Sequence, residues 1–141
     1  MRSKFPVAVH MLFFRDQEVL LLRRYNTGYE DGNYSLVAGH LDAGETVTQA
    51  AIREAGEEVG VTLGPDDLRV AHVMSRKSND ERIDFFIEVR HWEGEITNRE
   101  PEKCDQLAWF ALTALPDNMI PYVRAALERC RQGLYYSEFG W

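Results

Sequence analysis

Cysteine is scarce in this chain, and long apolar runs are absent from it. The two cysteines, Cys104 and Cys130, fit neither a disulfide framework nor a pair of metal ligands in their spacing. No apolar run approaches the roughly 20 residues that a membrane-spanning helix needs. We therefore expect a protein of a reducing, cytoplasmic setting with no membrane partner.

The N-terminal region lacks the features of a secretory segment. Its apolar run from Val7 to Phe14 is interrupted by His10, and no small-residue cleavage site follows. The run instead predicts a β-strand.

Basic residues are in the minority. The chain has 16 lysines and arginines against 23 aspartates and glutamates, and its formal net charge is -7 at pH 7. A protein that coats nucleic acid through phosphate contacts needs a basic surface, so we expect no nucleic-acid polymer as a partner. An acidic protein can still bind phosphate groups through bridging cations.

Internal repeats and low-complexity linkers are also lacking. A length of 141 residues suits one domain of ordinary size. Hydrophobic residues make up 45% of the chain and charged residues 28%, which is the composition of a folded globular protein. We expect a single domain over residues 1–141.

Strands and helices are intermixed in the predicted secondary structure. Val7–Phe14 and Val19–Leu22 predict a hairpin, and residues 26–34 predict an irregular loop. Three more strands, a further hairpin and a second helix follow: strands Leu68–Met74, Ile83–Trp92 and Leu107–Leu112, a hairpin through Gly94, and a helix over Tyr122–Cys130.

A first helix is predicted over Val47–Val59. Thr46 offers its side chain as an N-cap, and Gln49 completes the pattern of a capping box. Gly60 provides the stop.

This helix carries Glu54, Glu57 and Glu58, the residues most informative about function. One turn separates Glu54 from the other two, so the three carboxylates project from one side. At about 100° per residue, Glu54 and Glu58 fall within the apolar arc of the helix. Like charges at the edge of a core cost free energy unless a cation neutralises them. A hard divalent cation with oxygen ligands, such as Mg²⁺, does so.

Arg53 and two glycines adjoin this cluster. Arg53 can pair with Glu57 one turn later, as an ordinary surface ion pair, or with Glu45 in the preceding loop. Gly39 and Gly44 bracket that loop, where the backbone turns sharply or approaches a ligand.

The segment from Gly39 to Val61 resembles a known motif. It reads GHLDAGETVTQAAIREAGEEVGV, and its glycines, glutamates and arginine follow the spacing of the complete Nudix box. The one soft position is Ala55, where a larger aliphatic residue is frequent. The chain thus resembles the Nudix (MutT-like) hydrolases. The resemblance implies an α/β protein, specifically an α/β/α sandwich, with a mixed β-sheet, the Nudix loop-helix and a C-terminal helix.

The resemblance also implies a metal site. Mg²⁺ is the implied cofactor, with Mn²⁺ as an alternative. An acidic residue outside the motif often completes such sites, and Glu102 is preferred over Asp105 for this role. The implied metal ligands are the carbonyl of Gly39 and the side chains of Glu54, Glu57, Glu58 and Glu102.

Water attack at phosphorus is the reaction that the resemblance implies. Glu54 is the first choice for the general base, although related enzymes also use other carboxylates. Glu45 and Arg53 would brace the loop. The implied catalytic set is Glu45, Arg53, Glu54 and Glu57.

Three residues are candidates for substrate binding. Arg24 resembles a phosphate-binding arginine of triphosphate-cleaving relatives, and an exposed charge at a strand end is an equally good interpretation. Tyr34 and Phe86 could stack on a base, as could Tyr25 and Tyr29, although aromatic residues in a small sheet protein more often belong to the core.

The substrate expected from the resemblance is a small nucleotide. Relatives specific for ADP-ribose usually carry a proline downstream of the motif, where this chain has Arg76-Lys77. This difference favours (deoxy)nucleoside triphosphates, normal or oxidised, over ADP-ribose and nucleotide sugars. The same fold hosts an isoprenoid diphosphate isomerase and ligand-sensing modules, but the intact glutamates favour hydrolysis.

The segment Tyr135–Trp141 carries four aromatic residues in seven positions. Exposed aromatic residues at that density promote aggregation, so we expect the segment to dock. It could dock on the chain's own core or on a second subunit, and the protein could be a monomer or a homodimer.

Overall fold

Eight β-strands form one mixed sheet between two α-helices in the computed structural model, which describes residues 1–141. The strands are β1 Val7–Arg15, β2 Glu18–Arg24, β3 Tyr34–Ser35, β4 Val37–His40, β5 Leu68–Lys77, β6 Glu81–Val89, β7 Cys104–Ala111 and β8 Tyr136–Phe139. The helices are α1 Val47–Val59 and α2 Pro121–Arg131. Neither helix has the length and apolar composition needed to span a membrane.

The sheet has the order β3-β2-β1-β6-β5-β8, with β4 also paired to β1 and β7 to β2. β1 runs parallel to β6, and β5 runs parallel to β8. The other pairs are antiparallel. The β1–β2 hairpin is therefore confirmed, and the sheet is mixed as expected.

β1 is buried on both faces, which places it at the centre of the fold. Because side chains alternate along a strand, Met11 and Phe13 point into a core shared with α1. Leu12 and Phe14 point into a second core shared with α2. The two cores define the predicted α/β/α sandwich.

The capping of α1 agrees with its prediction. The Thr46 side chain accepts a hydrogen bond from the Gln49 amide at 3.1 Å, and the Gln49 side chain accepts one from the Thr46 amide at 2.9 Å. Gly60 ends the helix in a left-handed conformation, with φ of 74°, which a residue without Cβ adopts most easily.

The prediction of a hairpin through Gly94 is wrong. No strand lies between β6 and β7. Glu93 pairs instead with Thr62, just after α1, through reciprocal backbone hydrogen bonds of 2.9 and 3.0 Å. Further on, the Arg99 amide donates to the Glu58 carbonyl at 3.0 Å. The segment thus follows the C-terminal end of α1 rather than folding back on itself.

The aromatic segment near residue 135 docks on the chain's own sheet. β8 pairs with β5 from Val73↔Tyr136 to Arg76↔Phe139. Docking on its own chain is therefore confirmed, although Tyr135 and Trp141 keep exposed side chains.

A buried ionic group connects β1, β5 and β6. The Asp84 carboxylate is fully buried; it accepts a hydrogen bond from Arg76 Nε at 2.6 Å and lies 3.1 Å from His10 Nε2. Burial opposes ionisation of Asp84, but its hydrogen bonds to His10 and Arg76 prevail and hold its pKa below the usual value. Arg76 therefore has an ionised partner at neutral pH.

Asp84→Asn should destabilise the fold by about 3–5 kcal/mol at pH 7, because it leaves the buried Arg76 without its counterion. The folded-state pKa of Asp84 is lowered, so its contribution is complete above the unfolded pKa of about 4 and is lost as the pH falls through the folded value. Urea unfolding of both proteins at pH 7 and pH 3 measures this. If the two proteins differed in free energy of unfolding as much at pH 3 as at pH 7, the assigned ionisation of Asp84 would be contradicted.

Candidate active site

α1 presents its glutamates beside the end of β4, at the edge of the sheet. Glu54 has 12% of its side chain exposed, whereas Glu57 has 54% exposed. Glu58 turns back to β4, where its Oε2 accepts a hydrogen bond from the Ala38 amide at 2.9 Å. The helix therefore holds two carboxylates against the protein and one towards solvent.

Gly39 leaves the space that Glu54 occupies. A Cβ atom at position 39 would overlap the carboxylate of Glu54. The glycine is thus needed for close packing of the β4 backbone against a carboxylate.

Arg53 connects the entry loop to the glutamates. It donates to both oxygens of Glu45, from Nε at 2.6 Å and from Nη2 at 2.9 Å. Its Nη1 donates to Glu54 at 2.7 Å and to Glu57 at 3.3 Å. Both pairings considered for Arg53 are therefore present, and its hydrogen bonds lower the pKa of Glu45 to about 2.

Negative charge is poorly neutralised around Glu58. Burial, followed by the charges of Glu54 and Glu100, raises the pKa of Glu58 to about 9. Burial also raises the pKa of Glu54, although Arg53 opposes this effect. A further cation close to the two carboxylates would favour their ionised forms.

Glu100 adjoins this cluster, although it lies outside the motif and no pattern in the sequence identifies it. It lines the same cavity as Glu58. Glu102 is exposed and does not line the cavity, and Asp105 instead pairs with Arg23 at 2.8 Å. Glu100 therefore lies in the cavity wall with Glu58, whereas Glu102 and Asp105 do not.

The donor set fits a hard divalent cation, because it consists of carboxylate and carbonyl oxygens around excess negative charge. The side chains are not gathered into a ready-made coordination shell; Arg53 binds Glu54 and Glu57 instead. The residues that would hold the ion are Gly39, Glu54, Glu57, Glu58 and Glu100.

A cavity of about 750 Å³ opens beside the glutamates. This size suits a small-molecule ligand. Its wall combines acidic Glu58 and Glu100 with cationic Arg24, Arg82 and Lys103.

Arg24, a candidate for phosphate binding, lies in this wall. Its Nε donates to the Tyr29 carbonyl at 2.6 Å, and its Nη2 donates to Thr27 Oγ1 at 3.0 Å. Arg24 therefore also holds the loop between β2 and β3 against the cavity.

Tyr34 and Phe86 are not placed to stack on a base. Phe86 is fully buried and stacks on His10, with ring centroids 4.6 Å apart. Tyr34 packs against Phe110 at 5.0 Å, and its hydroxyl donates a hydrogen bond to Gln106. Both residues belong to the core, because the alternation of their strands turns them inward. Tyr29, in the loop held by Arg24, is the tyrosine of that loop that lines the cavity.

Comparison with known proteins agrees with this geometry. The family model described as the NUDIX domain matches residues 4–130, so the chain belongs to the Nudix hydrolase family. A structure titled as a MutT NUDIX hydrolase from Burkholderia pseudomallei superposes with a TM-score of 0.81 and 28% identity, over 89% of this chain and 98% of that one.

Two curated relatives differ in their named substrates. The 8-oxo-dGTP diphosphatase of Escherichia coli K12 is 28% identical over 84% of this chain and 89% of its own length. The NAD-capped RNA hydrolase NudC of Pseudomonas aeruginosa LESB58 is 35% identical over 75% of this chain. The match spans only 36% of the NudC length.

Glu57→Gln and Glu58→Gln should each lower metal-dependent turnover by roughly two orders of magnitude or more, because each removes a charged oxygen ligand with little change of shape. Exposed Glu128 on α2 provides the control variant Glu128→Gln. Steady-state rates at several Mg²⁺ concentrations measure the effect. Retained turnover in both variants would contradict the assigned site.

Glu58→Gln should also stabilise the metal-free protein. The folded-state pKa of Glu58 is raised to about 9, so its ionisation weakens the fold as the pH rises from the unfolded value of about 4.3 towards 9. The variant should gain stability over the wild type across this range. Melting temperatures in a chelator at pH 5 and pH 8 test this, and equal gains at both values would contradict it.

Proposed function

We propose that this chain hydrolyses a phosphoanhydride bond in a nucleoside diphosphate-linked substrate, with Mg²⁺ as cofactor and Mn²⁺ as a possible substitute. Nucleoside triphosphates, deoxy or ribo, normal or oxidised, are the favoured class. The observation that carries the proposal is the excess of half-buried carboxylate, from Glu54 and Glu58, beside a cavity that also presents Arg24. We also propose that the protein is located in the cytoplasm.

The bound metal, Glu54 and Arg53 have separate roles in the proposed reaction. Divalent metal, when bound, supplies Lewis-acid stabilisation of charge on the phosphate oxygens. Glu54 is the proposed base that takes the proton of the attacking water, because burial raises its pKa and makes it a better proton acceptor. Arg53 orients Glu54 and ties it to Glu45.

Cationic side chains in the cavity wall would bind the phosphates that do not react. Arg24 is held by the Tyr29 carbonyl and Thr27, so its guanidinium is oriented before a substrate arrives. Lys103 lines the same cavity. Together they match a substrate with several phosphates better than an uncharged one.

The alternative functions differ from the proposed one in their substrates or in whether they release phosphate. ADP-ribose and nucleotide sugars have the same diphosphate linkage, and the curated relatives differ in the compounds for which they are named. Isomerases and sensors of the same fold would release no phosphate. The intact glutamates favour hydrolysis over both.

A phosphate-release screen with Mg²⁺ should therefore detect turnover of at least one nucleoside triphosphate. The panel contains normal and oxidised triphosphates, ADP-ribose, dinucleoside polyphosphates and nucleotide sugars, with a coupled phosphatase or pyrophosphatase where needed. Glu54→Gln is the inactive control. A higher kcat/KM for ADP-ribose or a nucleotide sugar would overturn the favoured class, and no metal-dependent release from any compound would overturn the proposed hydrolysis.

Arg24→Ala should raise KM by roughly tenfold or more, because it removes a charge-assisted contact to phosphate. Arg23→Ala is the matched control, since Arg23 precedes Arg24 on β2 but pairs with Asp105 outside the cavity. Kinetics and melting temperatures of both variants give the answer. Unchanged kinetics with a lowered melting temperature for Arg24→Ala would mean that this arginine only holds the loop.

A further inference from the structure

The segment Leu134–Trp141 covers one edge of β5. His72 of β5 is fully buried, and its two ring nitrogens lie 2.8 Å from the Leu134 carbonyl and 2.7 Å from Ser137 Oγ. The Val73 amide donates to the Tyr135 carbonyl at 2.8 Å. The segment is thus anchored by both side chains and backbone, and β8 continues along β5 from this anchor.

Phe139 lies beside a residue of the cavity wall. It pairs with Arg76 in the parallel ladder, and paired residues on neighbouring strands point to the same face of the sheet. The Arg76 guanidinium lies 3.6 Å from the centroid of the Tyr122 ring. Arg76 and Tyr122 both line the cavity, whereas Phe139 packs on the core shared with α2 next to Arg76.

Gly140 and Trp141 hold the end of β5. Gly140 has φ of 88°, and a Cβ there would overlap the Lys77 carbonyl. The Trp141 ring nitrogen donates to the Ser75 carbonyl at 2.9 Å. The turn that begins directly after Lys77 contributes Ser78, Asn79 and Asp80 to the cavity wall.

We propose that Phe139 and Trp141 are positioning residues for substrate binding: they hold Arg76 and the turn at residues 78–80 in place as one wall of the cavity. This inference rests on the proposed function, in which the cavity takes the substrate. β8 packs on β5 and on the core shared with α2, whereas the glutamates belong to α1 on the other face. The segment Leu134–Trp141 therefore affects the affinity for substrate and does not affect the rate of the chemical step.

Phe139→Ala and Trp141→Ala should each raise KM by about five- to tenfold and keep kcat within about twofold, measured with the best substrate of the screen. Tyr136→Ala is the matched control: Tyr136 is on the same strand, three positions from Phe139 and so on the opposite face, and is 54% exposed. It should leave both constants unchanged. A fall in kcat without a change in KM would overturn the proposal, as would equal effects of all three variants.

Amide hydrogen exchange provides a readout that needs no substrate. Exchange at residues 74–82 should become about tenfold faster in Phe139→Ala and Trp141→Ala, while α1 amides keep their wild-type rates. Unchanged exchange at residues 74–82 would overturn the positioning role, and so would faster exchange throughout the protein, which would indicate general destabilisation. Should the wild type hydrolyse no nucleotide, the proposed function fails, and the exchange rates still decide whether the segment holds this wall.

Discussion

Negative charge held against a protein core is the constraint on which the site depends. Glu58 lies half-buried against β4, and the Glu54 carboxylate fills the space beside Gly39. Both carboxylates would ionise at ordinary pH in water, but burial and mutual repulsion oppose this here. The single guanidinium of Arg53 is shared among several glutamates, so the cluster keeps an affinity for further positive charge.

The second buried ionic group, Asp84 with Arg76 and His10, also contains a buried carboxylate, but its charge is balanced within the protein. Asp84 is fully buried, yet its pKa is lowered because the hydrogen bonds to His10 and Arg76 outweigh the effect of burial. The charge of Asp84 is thus neutralised by a neighbouring side chain within the protein. The contrast indicates why the cluster on α1, whose neutralisation is incomplete, is the one suited to bind a ligand.

The cavity between these two groups joins parts of the chain that are distant in sequence. The end of β2 contributes Arg24, the segment before β7 contributes Glu100, and β5 contributes Arg76. Only α1 with its entry loop forms a local unit. The composition of the cavity wall therefore depends on how the sheet is assembled, whereas the glutamate cluster depends on one helix.

Local interactions explain what could be predicted from the sequence. The capping box of Thr46 and Gln49, the stop at Gly60 and the one-sided projection of the glutamates all follow from the geometry of one helix. The β1–β2 hairpin likewise joins neighbouring segments. The tendency of aromatic residues in a small sheet protein to belong to the core also applied to Phe86, which the structure buries fully.

Tertiary structure alone decided the remaining features. Glu100 reaches the glutamates because the segment after Glu93 bonds to the end of α1 instead of forming a hairpin, and this choice depends on backbone groups far away in sequence. The aromatic content of residues 135–141 predicted docking, but only the exposed edge of β5 determined where it occurs. Short-range patterns determine helices and turns, whereas the neighbours of a strand edge or an irregular loop are determined by the whole fold.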